Sequence, residues 1–457
     1  MAKTKTQTKP RSLTLRSYDV GFGDCFLLSF HYASFDRHVL IDFGSTRLPT
    51  GKAVKGNYME YIARCIHRDC GGKLTAVVAT HRHKDHISGF AMKDGKGSGA
   101  IIAALQPDVV LQPWTEDPNA PRNAKVPSKT LPGKKVPVAT LMAMHLDALE
   151  DMNRYAGFVL DASKKLTAPG LKSLRDQLEF LGDDNELANR SAITNLMTMG
   201  SSPARYLYFG AKSGLETLLP GVTTHVLGPP TLKQTDTITK QRSTDEDEFW
   251  LARADFWKKR AAVAARPGVA FEPLFRNQQE HRIPLDARWY RNRAQHEQAE
   301  TMLSIVRSLD AQMNNTSLIL LFEVGGKLLL FPGDAQYENW MYALDQEGVA
   351  EKLRQVDFYK VGHHGSRNAT PKRLWDGFEK RYPPPPGDDD GEHAPHAHGE
   401  GFVTLLSTKD HVHGRASADT EVPRQTLVDA LETQSTLVDT RTTKDNEIGQ
   451  CCTLDLS

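Results

Sequence analysis

The sequence predicts an α/β fold of stacked layers, interrupted by two largely helical insertions. Three observations predict it. Between Ser12 and Trp114, short apolar or alternating runs bounded by Gly and Asp take turns with helical spacing. From Asn314 onward the chain is again rich in short apolar runs. Between these parts, 115–203 and 231–313 lose the strand pattern and read as helices, apart from "RYLYFG" and "THVLGPP" at 205–231.

Taken in order, "SLTLRSYDV", "CFLLSFHY" and "HVLIDFG" read as strands. "YMEYIARCIHRD" has helical spacing, "LTAVVAT" is a near-continuous apolar strand, "SGAIIAALQ" is a helix and "DVVLQPW" a strand. The first insertion carries "LKSLRDQLEFLG". The second is heavily charged, with "RWYRNRAQHEQAETMLSIVRSLDAQM" closing at Asn314-Asn315. "SLILLFEV" and "GKLLLFPGD" form a hairpin turned at Gly325-Gly326. "DFYKVGH", "FVTLLST", "STLVDTRTT" and "QCCTLDL" are further strands, and "EVPRQTLVDALETQ" is a helix. Residues 381–401, "RYPPPPGDDDGEHAPHAHGEG", cannot bury apolar area, so a flexible surface loop is expected, with His393, His396 and His398 solvated in it.

Composition narrows the class. The chain has 457 residues and a formal charge of +1, far from the basic balance of a sequence-independent nucleic-acid coat protein. The basic, polar start has no apolar core of a secretory signal, and no run is long enough to span a bilayer. Five cysteines at scattered spacings, Cys25, Cys65, Cys70, Cys451 and Cys452, fit no disulfide framework and suit a reducing, cytoplasmic setting without membrane partners.

Chemistry concentrates in three places. "THRHKDHISGF" starts at the end of an apolar strand. Residues i and i+2 of an extended chain point the same way, so His81 and His83 can aim at one point. Asp85 and His86, beyond the turn, can aim at a second. Imidazole and carboxylate suit zinc, manganese or iron, which makes this a two-metal candidate. Asp334, in "LLLFPGDA", ends another strand, and a carboxylate there can be shared by two ions. "DFYKVGHHGSRNAT" repeats the pattern at His363 and His364. One of that pair is expected to bind metal, and the other to bind substrate or protonate the leaving group. His363, nearer the strand end, is favoured as the ligand.

In this order and setting, "HRHKDH", "GDA" and "VGHHGS" resemble the metallo-β-lactamase superfamily. Within it they are most similar to the metallo-hydrolase domain of the DNA-uptake competence protein ComEC and its soluble relatives. "YDVGFGDCFLLSF", "HVLIDFGS", "VLGPP" and "NNTSLILLFEVGGKLLLFPGDA" fit the same branch. The resemblance implies a four-layer αββα sandwich spanning 12–457, with both insertions outside the shared pattern. It implies that His81 and His83 hold one metal, Asp85 and His86 the other, and that Asp334 bridges them, with His363 or His364 completing the set. It places Asp42 behind the ligands and Asp24 in a loop beside the cleft. The superfamily usually adds a ligand histidine before the bridging aspartate; His145 and His225 are candidates, neither in the usual glycine-rich setting. His413 partly matches a substrate-contacting loop of this branch.

The expected function is therefore that of a dinuclear hydrolase with two divalent ions, zinc first and manganese second. A metal-held hydroxide would attack a phosphodiester in a nucleic acid or nucleotide, with Asp85 orienting it and a histidine of the His363-His364 pair serving the leaving group. The alternatives are an ester or lactone hydrolase, and a partner-binding component of a multi-protein system that uses the insertions.

Overall fold

The computed structural model describes residues 8–119 without 53 and 55, 125–127, 171, 178, 190–235, 314–383 without 367, 401–412, and 421–456. The chain divides into two units, Met1–Lys135 with Ala188–Ile238 and Gln312–Ser457, and Val136–Leu187 with Thr239–Ala311. Of the second unit only Leu171 and Leu178 are described. Most of both expected insertions and of the 381–401 loop thus lie outside the described residues, as do His145, His393, His396, His398 and His413.

The first unit is α/β, with two mixed sheets. Strands β1 (Ser12–Tyr18), β2 (Cys25–His31) and β3 (Asp36–Phe43) form an antiparallel meander. Helix α1 (Tyr58–Asp69) then crosses to β4 (Ala76–Val78), followed by α2 (Lys84–Ile87), α3 (Ser98–Ala104), β5 (Val109–Pro113), α4 (Arg190–Thr198) and β6 (Arg205–Leu207). β3 to β6 run parallel. The second sheet repeats this plan. β7 (Val222–Gly228), β8 (Ile319–Val324) and β9 (Lys327–Phe331) are antiparallel. Helices α5 (Tyr337–Leu344) and α6 (Val349–Arg354) lead to β10 (Phe358–Lys360), α7 (Lys372–Trp375), β11 (Val403–Leu406), α8 (Gln425–Gln434) and β12 (Thr436–Asp439), and β9 to β12 are parallel. The last strand, β13 (Gly449–Asp455), returns to pair with β1 at the edge of the first sheet.

Local sequence explains these elements. Val324 pairs with Lys327, so Gly325 and Gly326 alone make the turn, with φ of +54° and +76°, the left-handed values a two-residue hairpin requires. In α1 the Asn57 side chain accepts the Glu60 N–H, and Ile62, Ala63, Cys65 and Ile66 form the buried stripe. The central parallel strands β4, β5 and β10 are buried on both faces, and they are mostly apolar apart from Gln112 in β5 and Lys360 in β10. "LTAVVAT" shortens to three strand residues, because Thr80 already turns into the loop.

Alternation divides each strand between two cores. Leu13, Leu15, Phe26, Leu28, Val39, Ile41 and Val78 of the first sheet meet Leu320, Phe322, Leu329, Phe331 and Phe358 of the second. The alternate residues Ile319, Leu321, Leu330 and Tyr359 pack instead on Trp340, Leu353, Trp375 and Leu431 from the helices. Each fully buried side chain of this size contributes roughly 1.5–3 kcal/mol. The two sheets therefore share one interior, and the loops after β1, β4, β9, β10 and β11, with the residue leading into β8, meet across it. Leu318 N–H donates to Thr80 O at 2.9 Å, and His363 N–H to Gly333 O at 3.3 Å. Asp24 N–H donates to Asp85 O at 3.0 Å, and Ser407 Oγ to Gly23 O at 2.7 Å. Loops beyond the carboxyl ends of parallel strands are where α/β sheets place their sites. Among the described residues, no helix is long and apolar enough to cross a membrane.

Candidate metal centre

The loop after β4 begins with Thr80, whose N–H and hydroxyl both donate to Asp42, each at 2.7 Å. Asp42, next to last in β3, has a φ of +54°, a left-handed value that turns its carboxylate back under this loop. Because the Thr80 hydroxyl proton is committed to Asp42, its oxygen accepts from His81 Nδ1 at 3.2 Å. That leaves His81 Nε2 as the acceptor, taking the His83 Nδ1 N–H at 2.9 Å. His83 caps α2, whose first turn carries Asp85 and His86. At His83 the backbone is still extended, with φ −59° and ψ 151°, and the chain turns into α2 there. Gly44 makes room for it, since a Cβ there would lie 2.4 Å from the Asp85 carbonyl carbon.

His86 Nδ1 donates to Asp42 Oδ2 at 2.8 Å, and His364 Nδ1 donates to the Ser407 carbonyl at 2.9 Å. In both rings Nε2 then faces inward. Anchoring one ring nitrogen so that the other points at a site is how proteins orient metal-binding imidazoles. The inward atoms converge on one oxygen. Asp334 Oδ2 is 3.1 Å from His86 Nε2, 3.7 Å from His364 Nε2, 3.8 Å from His363 Nε2 and 3.9 Å from His81 Nε2. His364 Nε2 also lies 2.8 Å from Asp85 Oδ2. Gly333 delivers Asp334: its φ is +56°, and a Cβ would come within 2.8 Å of the Thr80 side chain.

Asp85, His86, Asp334 and His364 thus offer four fully buried ligand atoms within 4.8 Å of one another, and could hold a metal ion. Two atoms bound at about 2.1 Å to one tetrahedral ion sit about 3.4 Å apart, the scale seen here. A second buried group, Asp24, Asp42 and His86, meets the same spacing. The donor chemistry fits as well. Asp85 Oδ1 is buried without a hydrogen bond, a costly state that a cation relieves, and His86 Nε2 faces the carboxylate oxygen Asp334 Oδ2 at 3.1 Å.

Of the two neighbouring histidines, His364 belongs to the four-residue group and is fully buried, while His363, the one the sequence favours as a ligand, keeps a side chain 22 % exposed. The reason is local. Strand alternation stops at Lys360, and His363 and His364 both take left-handed φ values, +46° and +54°, which curl the second ring back inward. His225 lies on β7 and is held by Glu323 at 2.9 Å and Lys352 at 3.2 Å, so it takes no part in the group.

Two residues escaped the sequence reading. Thr80 sets the tautomer of His81. Lys360, 1 % exposed, points between the sheets, contacts Asp24 Oδ2 and lies 3.8 Å from Asp334 Oδ1. A signal for it existed: it stands two residues after Phe358 in an apolar strand, hence on the same inward face.

Electrostatics split the imidazoles. Burial holds His81 well below the ordinary histidine range, pulls His83 down to about 4, and lowers His363, so these rings are neutral near pH 7. Burial also works against a proton on His86 and His364. There Asp334 outweighs it, helped on His86 by Asp85 and Asp42 and on His364 by Asp24 and Asp85. Both rings end above their usual value and carry protons where a cation would sit. Metal must displace those protons. Loading is therefore expected to release protons and to tighten as pH rises through the raised pKa values of these two rings. Calorimetry in buffers of different ionisation enthalpy checks this: an observed enthalpy independent of buffer would contradict it.

Asp42 offers a test of orientation without a direct ligand change. Asparagine tolerates left-handed φ, so Asp42→Asn keeps the backbone but turns an acceptor into a donor facing the donors on Thr80 and His86. Zinc affinity is expected to fall about 10–100-fold, read by chelator competition, with the fold retained.

No known protein-family model matches the chain, and no curated protein does.

Proposed function

We propose that the protein is a dinuclear metal-dependent hydrolase with the four-layer metallo-β-lactamase fold, and that its substrate is a phosphodiester. The observation that carries the proposal is the convergence of four imidazole nitrogens on the single oxygen Asp334 Oδ2. In this reading His81, His83 and Asp334 would hold one ion. Asp85, His86, Asp334 and His364 would hold the other. The mixed nitrogen and oxygen donors suit zinc, with manganese second.

Two such ions, when bound, lower the pKa of a water toward neutrality and stabilise negative charge on the attacked group. The chain's own residues do the rest. Asp85 Oδ1, with no hydrogen bond of its own, can accept the nucleophile's proton and fix its direction. Asp42 and Ser407 hold His86 and His364 in the orientation that leaves their Nε2 atoms inward. His363 is the ring of the cluster that reaches solvent, so it faces an incoming substrate and can donate an N–H to the leaving oxygen. The choice of a phosphodiester over an ester rests on the likeness of "HRHKDH", "GDA" and "VGHHGS" to the competence-protein branch, since the same ions would serve either.

The test is a substrate panel with zinc or manganese: single-stranded DNA, bis(p-nitrophenyl) phosphate, and a set of lactones. Phosphodiester turnover that disappears in His83→Ala supports the proposal. Turnover of lactones alone would assign the protein to ester chemistry. Full biological function in ligand-alanine variants of a metal-free protein would instead favour a partner-binding role.

A further inference from the structure

Lys360 has no part in the ligand set, yet its surroundings are costly to build. A buried ammonium is costly unless paired, and replacing a buried ion pair by apolar groups is often neutral or stabilising. Lys360 nevertheless lies in the apolar interior, 5.8 Å from the centre of the Phe26 ring. It adjoins the second group of ligand-type atoms, Asp24, Asp42 and His86, with its Nζ in contact with Asp24 Oδ2. Four buried carboxylates, Asp24, Asp42, Asp85 and Asp334, surround the cluster, and Lys360 brings them a permanent cation.

The two oxygens of Asp334 are sorted by this arrangement. Oδ2 faces the imidazoles of His81, His86, His363 and His364 at 3.1–3.9 Å. Oδ1 instead lies 3.8 Å from Lys360 Nζ.

We infer that Lys360 is a positioning residue of this centre: its ammonium occupies the Asp24 side as a built-in cation and draws Asp334 Oδ1 aside, so that Asp334 meets the ions through Oδ2 alone. This rests on the metal-centre reading above. Without the ammonium, Asp334 is free to chelate through both oxygens and Asp24 is free to act as a ligand. Each change adds an oxygen to the coordination shell.

Cobalt(II) reports coordination number directly, because its visible bands weaken as ligands are added to a tetrahedral or five-coordinate ion. The probe is cobalt(II) added to the metal-free full chain, with bound cobalt counted and the band intensity read per ion. In Lys360→Met the intensity is expected to fall at least about twofold relative to wild type, whereas Lys360→Arg, which keeps the cation, should stay close to wild type. Lys360→Met strands the Asp24 charge and can fail to fold. The double variant Lys360→Met with Asp24→Asn removes that charge, still frees Asp334 Oδ1, and is expected to show weakened bands through Asp334 alone. Bands of wild-type intensity in the folded methionine variants would overturn the inference and leave the metal centre standing. A wild-type chain that binds no cobalt would overturn the centre itself, and this inference with it.

Discussion

Asp334→Ala is expected to abolish metal binding at the cluster and to lower hydrolytic turnover by at least about 10³-fold, the scale associated with losing metal-assisted charge stabilisation. Asp334 Oδ2 is the atom on which His81, His86, His363 and His364 converge, so its removal breaks both proposed ligand sets at once. The carboxylate is fully buried and held well below its ordinary range: burial pushes it up, but His86, His363 and His364 outweigh that. Elemental analysis of the purified variant beside wild type, with turnover measured in added zinc, checks the prediction. Unchanged metal content in Asp334→Ala would contradict it. Removing metal from the wild type with a chelator should reproduce the same loss and be reversed by zinc.

His364→Ala and His363→Ala are expected to differ sharply. His364 is fully buried, with Nδ1 anchored on Ser407 O and Nε2 2.8 Å from Asp85 Oδ2. Its loss removes one ligand of the four-residue group, and metal affinity should fall more than about 100-fold, beyond the cost of losing an orienting partner. His363 keeps solvent access, and its Nδ1 makes no hydrogen bond. Its alanine variant should retain the metal of the His364 group and lose turnover instead. Parallel zinc titrations decide this. Equal losses of affinity in both variants would remove the distinction between ligand and substrate-facing ring.

Much of this centre was legible in the sequence, for local reasons. His81, His83, Asp85 and His86 lie within six residues after an apolar strand, and spacing alone brings them together. Asp334 was legible as a carboxylate after a strand and a Pro-Gly turn. The two strand-rich stretches proved to be two sheets of the same plan, an antiparallel meander followed by parallel strands. What could not be read depends on backbone conformations that leave no periodic trace. The roles at 363 and 364 turn on two successive left-handed residues. Asp42 reaches His86 through another. Lys360 was different: alternation already placed it inward, and the charge was overlooked because the strand read as apolar. Thr80 acts through its hydroxyl, which commits a proton to Asp42, a relation between residues 38 positions apart that only the fold creates.

The most direct measurement is anomalous diffraction at the zinc edge from crystals of the full chain grown with zinc. Two peaks about 3.5–4 Å apart are predicted, both within about 2.2 Å of Asp334 Oδ2, one also bonded to His81 Nε2 and the other to His86 Nε2. Zinc found only at surface histidines, with no peak in coordinating reach of Asp334 Oδ2 and His86 Nε2, would contradict the account.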